Sequence, residues 1–133
     1  MVWTIRLHDE FDPEFQELEK AVQDELLAMA KLLGRDGPNL GRPHADTLKG
    51  SQYNNMKELR FNAADGVWRA AFAFDPNREA ILLLVGDKSG GSERKFYKRL
   101  IKKADERYAQ HLNRLKDAYK HKEQQGRKRK KDK

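Results

Sequence analysis

Residues 56–85 read MKELRFNAADGVWRAAFAFDPNREAILLLV, and this stretch decides the fold. Two turn signals divide it into three runs, Met56–Asn62, Val67–Asp75 and Glu79–Val85. Asp65-Gly66 offers a residue that tolerates positive φ, and Asp75-Pro76-Asn77 offers a proline-fixed corner, so the runs predict three consecutive antiparallel strands. In the middle run Trp68, Ala70, Phe72 and Phe74 alternate with Val67, Arg69, Ala71, Ala73 and Asp75, which places Arg69 on the face opposite the aromatic side chains. Ile81-Leu82-Leu83-Leu84-Val85 is apolar on both faces, so the last strand is expected to be central or covered by helices.

Upstream, Val2–Leu7 alternates Trp3, Ile5 and Leu7 with Val2, Thr4 and Arg6 and predicts a further strand. Asp12-Pro13-Glu14 supplies an N-cap, a proline in the first turn and an acid near the helix dipole. Phe15, Leu18, Val22, Leu26, Met29 and Leu33 then form one amphipathic stripe, with Gly34 at the expected C-cap. Residues 35–55 hold Gly37-Pro38, Gly41, Pro43, Gly50 and Asn54-Asn55, which predicts a surface excursion with one short strand near Thr47–Lys49. Downstream, Gly86–Gly91 reads as a loop and Ser92 as a cap. Phe96 or Tyr97, Leu100 or Ile101, Ala104, Tyr108, Leu112, Leu115 and Tyr119 make a second helical stripe. The expected architecture is α+β: a small antiparallel sheet in the order β-α-β-β-β-α with helices packed against it.

A length of 133 residues fits a single domain, and 38% hydrophobic residues is low enough to leave part of the chain outside the core. From Lys120 onward apolar residues stop, so residues 1–119 are expected to form the domain and residues 120–133 a basic, disordered tail. Residues 1–36 hold four basic and nine acidic side chains, whereas residues 113–133 hold ten and three. That asymmetry within a net +7 suits a polyanionic partner at the basic end, or equally a soluble tail. No stretch approaches a membrane span and the acidic start is unlike a signal peptide, so no membrane association is expected and the location is read as cytoplasmic. With Cys 0, disulfides and cysteine nucleophiles are excluded. The four histidines are scattered without HExxH or paired-acid spacing, so neither a metal nor another cofactor is expected.

A basic constellation is left: Lys57 and Arg60 on the first meander strand, Arg69 on the second, Lys88 after the third, and Lys95 with Tyr97 opening the last helix. An RNA phosphodiester would suit it, because metal-free cleavage by the 2′-OH needs two proton transfers and cations to offset phosphorane charge. Arg69 equally suits an ordinary solvated strand face, and Tyr97 either a catalytic phenol or the helix stripe. As a base, Tyr97 would need cations such as Lys88 and Lys95 to favour phenolate. Lys57 and Arg60 are three apart, which in a regular strand sends them to opposite faces.

The phrases Leu40-Gly41-Arg42-Pro43-His44, Asp46-Thr47-Leu48-Lys49-Gly50, Lys57-Glu58-Leu59-Arg60, Trp68-Arg69, Gly86-Asp87-Lys88 and Lys95-Phe96-Tyr97 resemble the RelE/ParE superfamily, nearest its phage-derived Gp49-like, HigB-type toxins. The resemblance runs from Trp3 to Leu115 and implies a RelE-like fold and the toxin of a type II toxin–antitoxin system. It implies an antitoxin partner, of helix-turn-helix type, and ribosome-dependent cleavage of mRNA. Carried over by position, Arg69 matches the phosphate-stabilising arginine, Tyr97 the proposed general base, and Lys88 stands near a loop arginine. Met56 and Glu58 occupy the positions of two RelE lysines, with Lys57 between them. Lys57, Arg60, Arg69, Lys88 and Tyr97 are therefore the expected catalytic set, with Lys49, Lys95, Lys98, Arg99, Arg127, Lys128, Arg129 and Lys130 expected to bind RNA. A ParE-like gyrase inhibitor without nuclease activity and an inactive RNA-binding module are the alternatives.

Overall fold

The computed structural model describes residues 2–131, and their side chains through residue 123. The elements, in chain order, are β1 (Ile5–Leu7), α1 (Phe11–Gln16), α2 (Lys20–Asp36), a short 3-10 turn (Gly37–Asn39), β2 (Ala45–Thr47), β3 (Met56–Ala63), β4 (Gly66–Phe74), β5 (Ala80–Asp87) and α3 (Glu93–Lys131). One sheet holds all five strands in the order β1-β5-β4-β3-β2. The meander stands where the alternation places it. Only β1 departs from antiparallel pairing: it lies parallel to β5, with Ile5 opposite Ala80 and Leu7 opposite Leu82. Beyond Leu82 no strand pairs with the outer edge of β5 among the described residues.

The β3–β4 hairpin closes on Ala64 and Asp65, both with positive φ, rather than on Gly66. Two left-handed residues match the right-handed twist of the flanking strands. At the β4–β5 corner Asp75 accepts the Glu79 amide on Oδ1 at 2.9 Å.

The helix expected over 13–33 is two helices. Glu19 is extended, with φ −55° and ψ 145°, and the Gln23 side chain donates to the carbonyls of Phe15 at 2.7 Å and Gln16 at 3.3 Å. Two carbonyls at the C-terminal end of α1 are thus satisfied by a side chain, and the break needs neither proline nor glycine. Gly34 does not end α2. It sits inside the helix, where its carbonyl accepts the Trp3 amide at 2.7 Å, and the terminating residue is Gly37 with φ +58°.

Each face of the sheet has its own core. On one side Phe11, Phe15, Val22, Leu26, Met29 and Leu33 of α1 and α2 meet Leu59, Phe61, Ala70, Phe72 and Leu82. On the other, Leu100, Ala104 and Tyr108 of α3 meet Met56, Ala71, Ala73, Ile81, Leu83 and Leu84. Full burial of each large aliphatic or aromatic side chain contributes roughly 1.5–3 kcal/mol. Leu83 and Leu84 face the same core because a bulge shifts the register between Ala71 and Phe72, so the apolar run of β5 serves both sides. Arg107, buried on α3, donates to the Leu83 carbonyl at 2.7 Å and reaches past the sheet edge to the Glu14 carboxylate of α1.

Within the segment expected to be a tail, the backbone of α3 continues through Lys131. Lys, Arg, Glu and Gln carry high helix propensity, so a segment with little to bury still extends a helix already nucleated by packing. Residues 132 and 133, and the side chains of Arg127, Lys128, Arg129 and Lys130, lie outside what the structure describes. No described helix is long and apolar enough to cross a membrane.

Candidate active site

On the α3 side of the sheet, strand parity places Glu58 and Arg60 of β3 beside Arg69 of β4, with Arg60 directly opposite Arg69 in register. Two arginines facing each other repel, and Glu58, one step along the same face, supplies the compensating acid. Its Oε1 lies 3.8 Å from Arg60 Nη1 and 3.9 Å from Arg69 Nε. Glu58 is 4% and Arg69 5% exposed, so this is a desolvated charge cluster rather than a solvated strand face.

Tyr97 comes from α3, whose first turn is capped by Ser92: the Lys95 amide donates to Ser92 Oγ at 3.3 Å. The helix starts beside the end of β5 and delivers the phenol into the cluster. Arg69 Nε donates to the Tyr97 hydroxyl at 3.2 Å, and that hydroxyl donates to Glu58 Oε1 at 3.2 Å. Arg69 Nη1 is anchored on the Trp68 carbonyl at 2.9 Å. The other Glu58 oxygen, Oε2, is buried with no hydrogen-bond partner among the described residues.

The electrostatics follow from this burial. Desolvation pushes the Glu58 carboxyl above its usual range, against the lowering effect of the Tyr97 hydrogen bond and the two arginines. Burial likewise raises the Tyr97 phenol, and the Glu58 charge adds to this. The phenol is therefore the resting form, and burial opposes the phenolate that action as a base would need. The Tyr97 phenol thus donates to a carboxylate whose proton affinity burial raises.

The remaining expected residues divide. Lys88 lies with its Nζ 5.9 Å from the Tyr97 ring centroid and ion-pairs with Glu93 at 2.7 Å, so it borders the cluster. Arg60 also approaches Asp46 of β2 at 3.8 Å. Lys57 is turned away: it occupies a regular position of β3, faces the α2 side, and donates to the Pro38 carbonyl at 3.4 Å. Lys49 is exposed in the turn after β2, and Lys95, Lys98 and Arg99 are exposed on α3. Glu58 was missed by sequence reasoning. Its signal was available in the two-residue spacing to Arg60, which fixes a shared face. Among the described residues no group of three His, Asp or Glu side chains converges to hold a metal.

Comparison with known proteins agrees with this architecture. Residues 13–109 match the family described as phage derived protein Gp49-like (DUF891). Two proteins of Mycobacterium tuberculosis carrying the toxin names HigB2 and HigB3 are 41% identical over 101 residues and 51% identical over 76 residues. The matches cover 75% and 57% of this chain but only 50% and 64% of those proteins, so the chain spans about half to under two thirds of their length. Among solved structures, a variant of Escherichia coli toxin RelE in the free state superposes with a TM-score of 0.54 at 12% identity, covering 77% of this chain and 97% of that one. The toxin–antitoxin complex RelBE2 of M. tuberculosis gives 0.51 at 14% identity, covering 68% and 95%. These two likenesses establish a RelE-like fold.

Proposed function

The chain belongs to the phage-derived Gp49-like family, and from that premise we propose that it is the toxin of a toxin–antitoxin pair and cleaves mRNA on the ribosome without a metal. The single observation that carries this reading is the part-buried chain of donors and acceptors from Arg69 through Tyr97 to Glu58, flanked by Arg60. The toxin names of the HigB relatives and the RelE-like fold point the same way.

In the proposed reaction the 2′-OH attacks the adjacent phosphorus while the P–O5′ bond breaks. The products are a 2′,3′-cyclic phosphate and a 5′-hydroxyl. The proton leaving the 2′-oxygen passes to the Tyr97 oxygen as Tyr97 hands its own to Glu58, whose raised basicity makes it the final acceptor. Arg69 and Arg60 offset the charge that develops on the equatorial oxygens, and Lys88 or Lys95 serves the leaving oxygen. The positioning of Lys57 on the far face leaves it no part in this scheme. A cognate antitoxin is the proposed protein partner, and the basic segment 120–133, including Arg127, Lys128, Arg129 and Lys130, is proposed to add phosphate contacts.

Cell-free translation with mapping of mRNA 5′ ends tests the proposal. Wild-type protein is expected to cut only when ribosomes are present, and Arg69→Ala to abolish the cuts. Intact mRNA with folded wild-type protein would overturn it and redirect the search to gyrase.

A further inference from the structure

Several basic side chains of this protein are paired with acids: Arg6 with Glu79, Lys20 with Asp24, Arg42 with Asp46, Lys88 with Glu93, Arg107 with Glu14 and Arg114 with Asp9. The first half of α3 instead gathers six cations within ten residues. Arg94, Lys95, Lys98, Arg99, Lys102 and Lys103 form no ion pair among the described residues. They also stand in repeated like-charge i,i+4 relation, Arg94 with Lys98, Lys95 with Arg99, Lys98 with Lys102 and Arg99 with Lys103. Such spacing destabilises a helix, so this face is electrostatically unfavourable until an anion lies on it.

Beside this face runs a groove of about 490 Å³. Leu84, Phe96 and Leu100 make its apolar floor, Arg99, Lys102 and Lys103 its rim, and Glu106 its far end. It follows the part of β5 that β1 leaves uncovered. Its near end is Gly86, the register partner of Arg69, and its floor continues through Phe96 to Tyr97, whose rings meet edge to face at 5.2 Å. A Cβ at Gly86 would lie 2.9 Å from Phe96 Cε2, so the glycine is what lets the Phe96 ring lie against the strand.

We propose that this groove is a nucleotide subsite of the RNA-cleaving centre: the base of an unpaired nucleotide next to the scissile bond rests on Phe96 and Leu100, and its flanking phosphates lie on Arg99, Lys102 and Lys103. The inference rests on the ribonuclease reading for the identity of the strand. An apolar floor with cations along one wall is the arrangement that holds single-stranded RNA, because every base has a stackable face while duplex bases are hidden. The groove is contiguous with the site where the phosphate would react, so one strand occupies both.

The test is fluorescence anisotropy of the full chain with a labelled single-stranded octauridine made wholly of 2′-O-methyl nucleotides, which cannot be cleaved. Arg99→Gln/Lys103→Gln is expected to weaken binding about tenfold at 100 mM salt and to lower the log–log salt slope by about 1.4, two phosphate contacts at roughly 0.7 each. Lys31→Gln on α2 is expected to do neither. An abasic probe of equal length is expected to bind wild type more weakly than octauridine, with the difference lost in Phe96→Leu. Unchanged affinity in the double variant would overturn the proposal, as would equal binding of the abasic probe. Binding of an acidic peptide that depends on Arg99 and Lys103, with RNA binding indifferent to them, would assign the groove to a protein partner instead. The probe is uncleavable, so the two readings fail separately: intact mRNA with groove-dependent binding removes the nuclease, whereas cut mRNA with indifferent binding removes the subsite.

Discussion

A carboxyl group held above its ordinary range binds its proton more tightly in the folded protein than in the unfolded chain. For Glu58 this contribution to stability is complete below the ordinary glutamate pKa and is lost as pH rises through the raised folded value. Glu58→Gln mimics the protonated form, so urea unfolding should find the variant equal to wild type in acid and more stable at neutral pH. A variant less stable at neutral pH would mean that Arg60 and Arg69 outweigh desolvation. The same substitution should abolish the acid limb of the mRNA cleavage rate, which in wild type is expected to rise with pH through the folded Glu58 value. Tyr97→Phe keeps the ring against Phe96 but removes the oxygen between Arg69 and Glu58. Cleavage is expected to fall on the order of 10²-fold, with a stability loss of about 1 kcal/mol seen as a lowered urea midpoint. At this scale the sequence was half legible. Parity alone separates Lys57 from Arg60 and joins Arg60 to Glu58, but the worth of Glu58 depends on a phenol arriving from α3. No periodicity reports that docking.

The meander was legible as an element because alternation and turn chemistry act within a few residues of each other, and the strands fall within two residues of their expected ends. The break between α1 and α2 was not, because the apolar stripe runs through it unaltered and the Gln23 side chain that stabilises it reaches back from inside α2 to the Phe15 and Gln16 carbonyls, a contact no capping pattern reports. The end of α2 was displaced from Gly34 to Gly37 for a comparable reason: what decides between two glycines is the tertiary approach of Trp3. Gly37 combines φ +58° with an indole where a Cβ would stand. Gly37→Ala should therefore cost about 3 kcal/mol, measured by urea or thermal unfolding, and a loss under 1 kcal/mol would show that Trp3 can give way.

Over the whole molecule, the helices on the two faces play different parts. α1 and α2 seal one core, whereas α3 seals the other and then runs on past Tyr119, which is 69% exposed. Removing residues 120–133 should leave the unfolding free energy within about 0.5 kcal/mol of wild type while weakening RNA binding at low salt and reducing its salt slope. A large fall in stability would instead give this segment a structural role. The parallel pairing of β1 carries a further consequence, one of timing during synthesis. Ile5 must wait for Ala80 before it can enter the sheet, and closing so long a loop is slow. The Arg60–Arg69 hairpin forms from neighbours, but Tyr97 is made after every strand. An emerging chain therefore holds the two arginines without the phenol, and the hydrogen-bonded cluster of Arg69, Tyr97 and Glu58 comes into being only after the whole sheet has been translated.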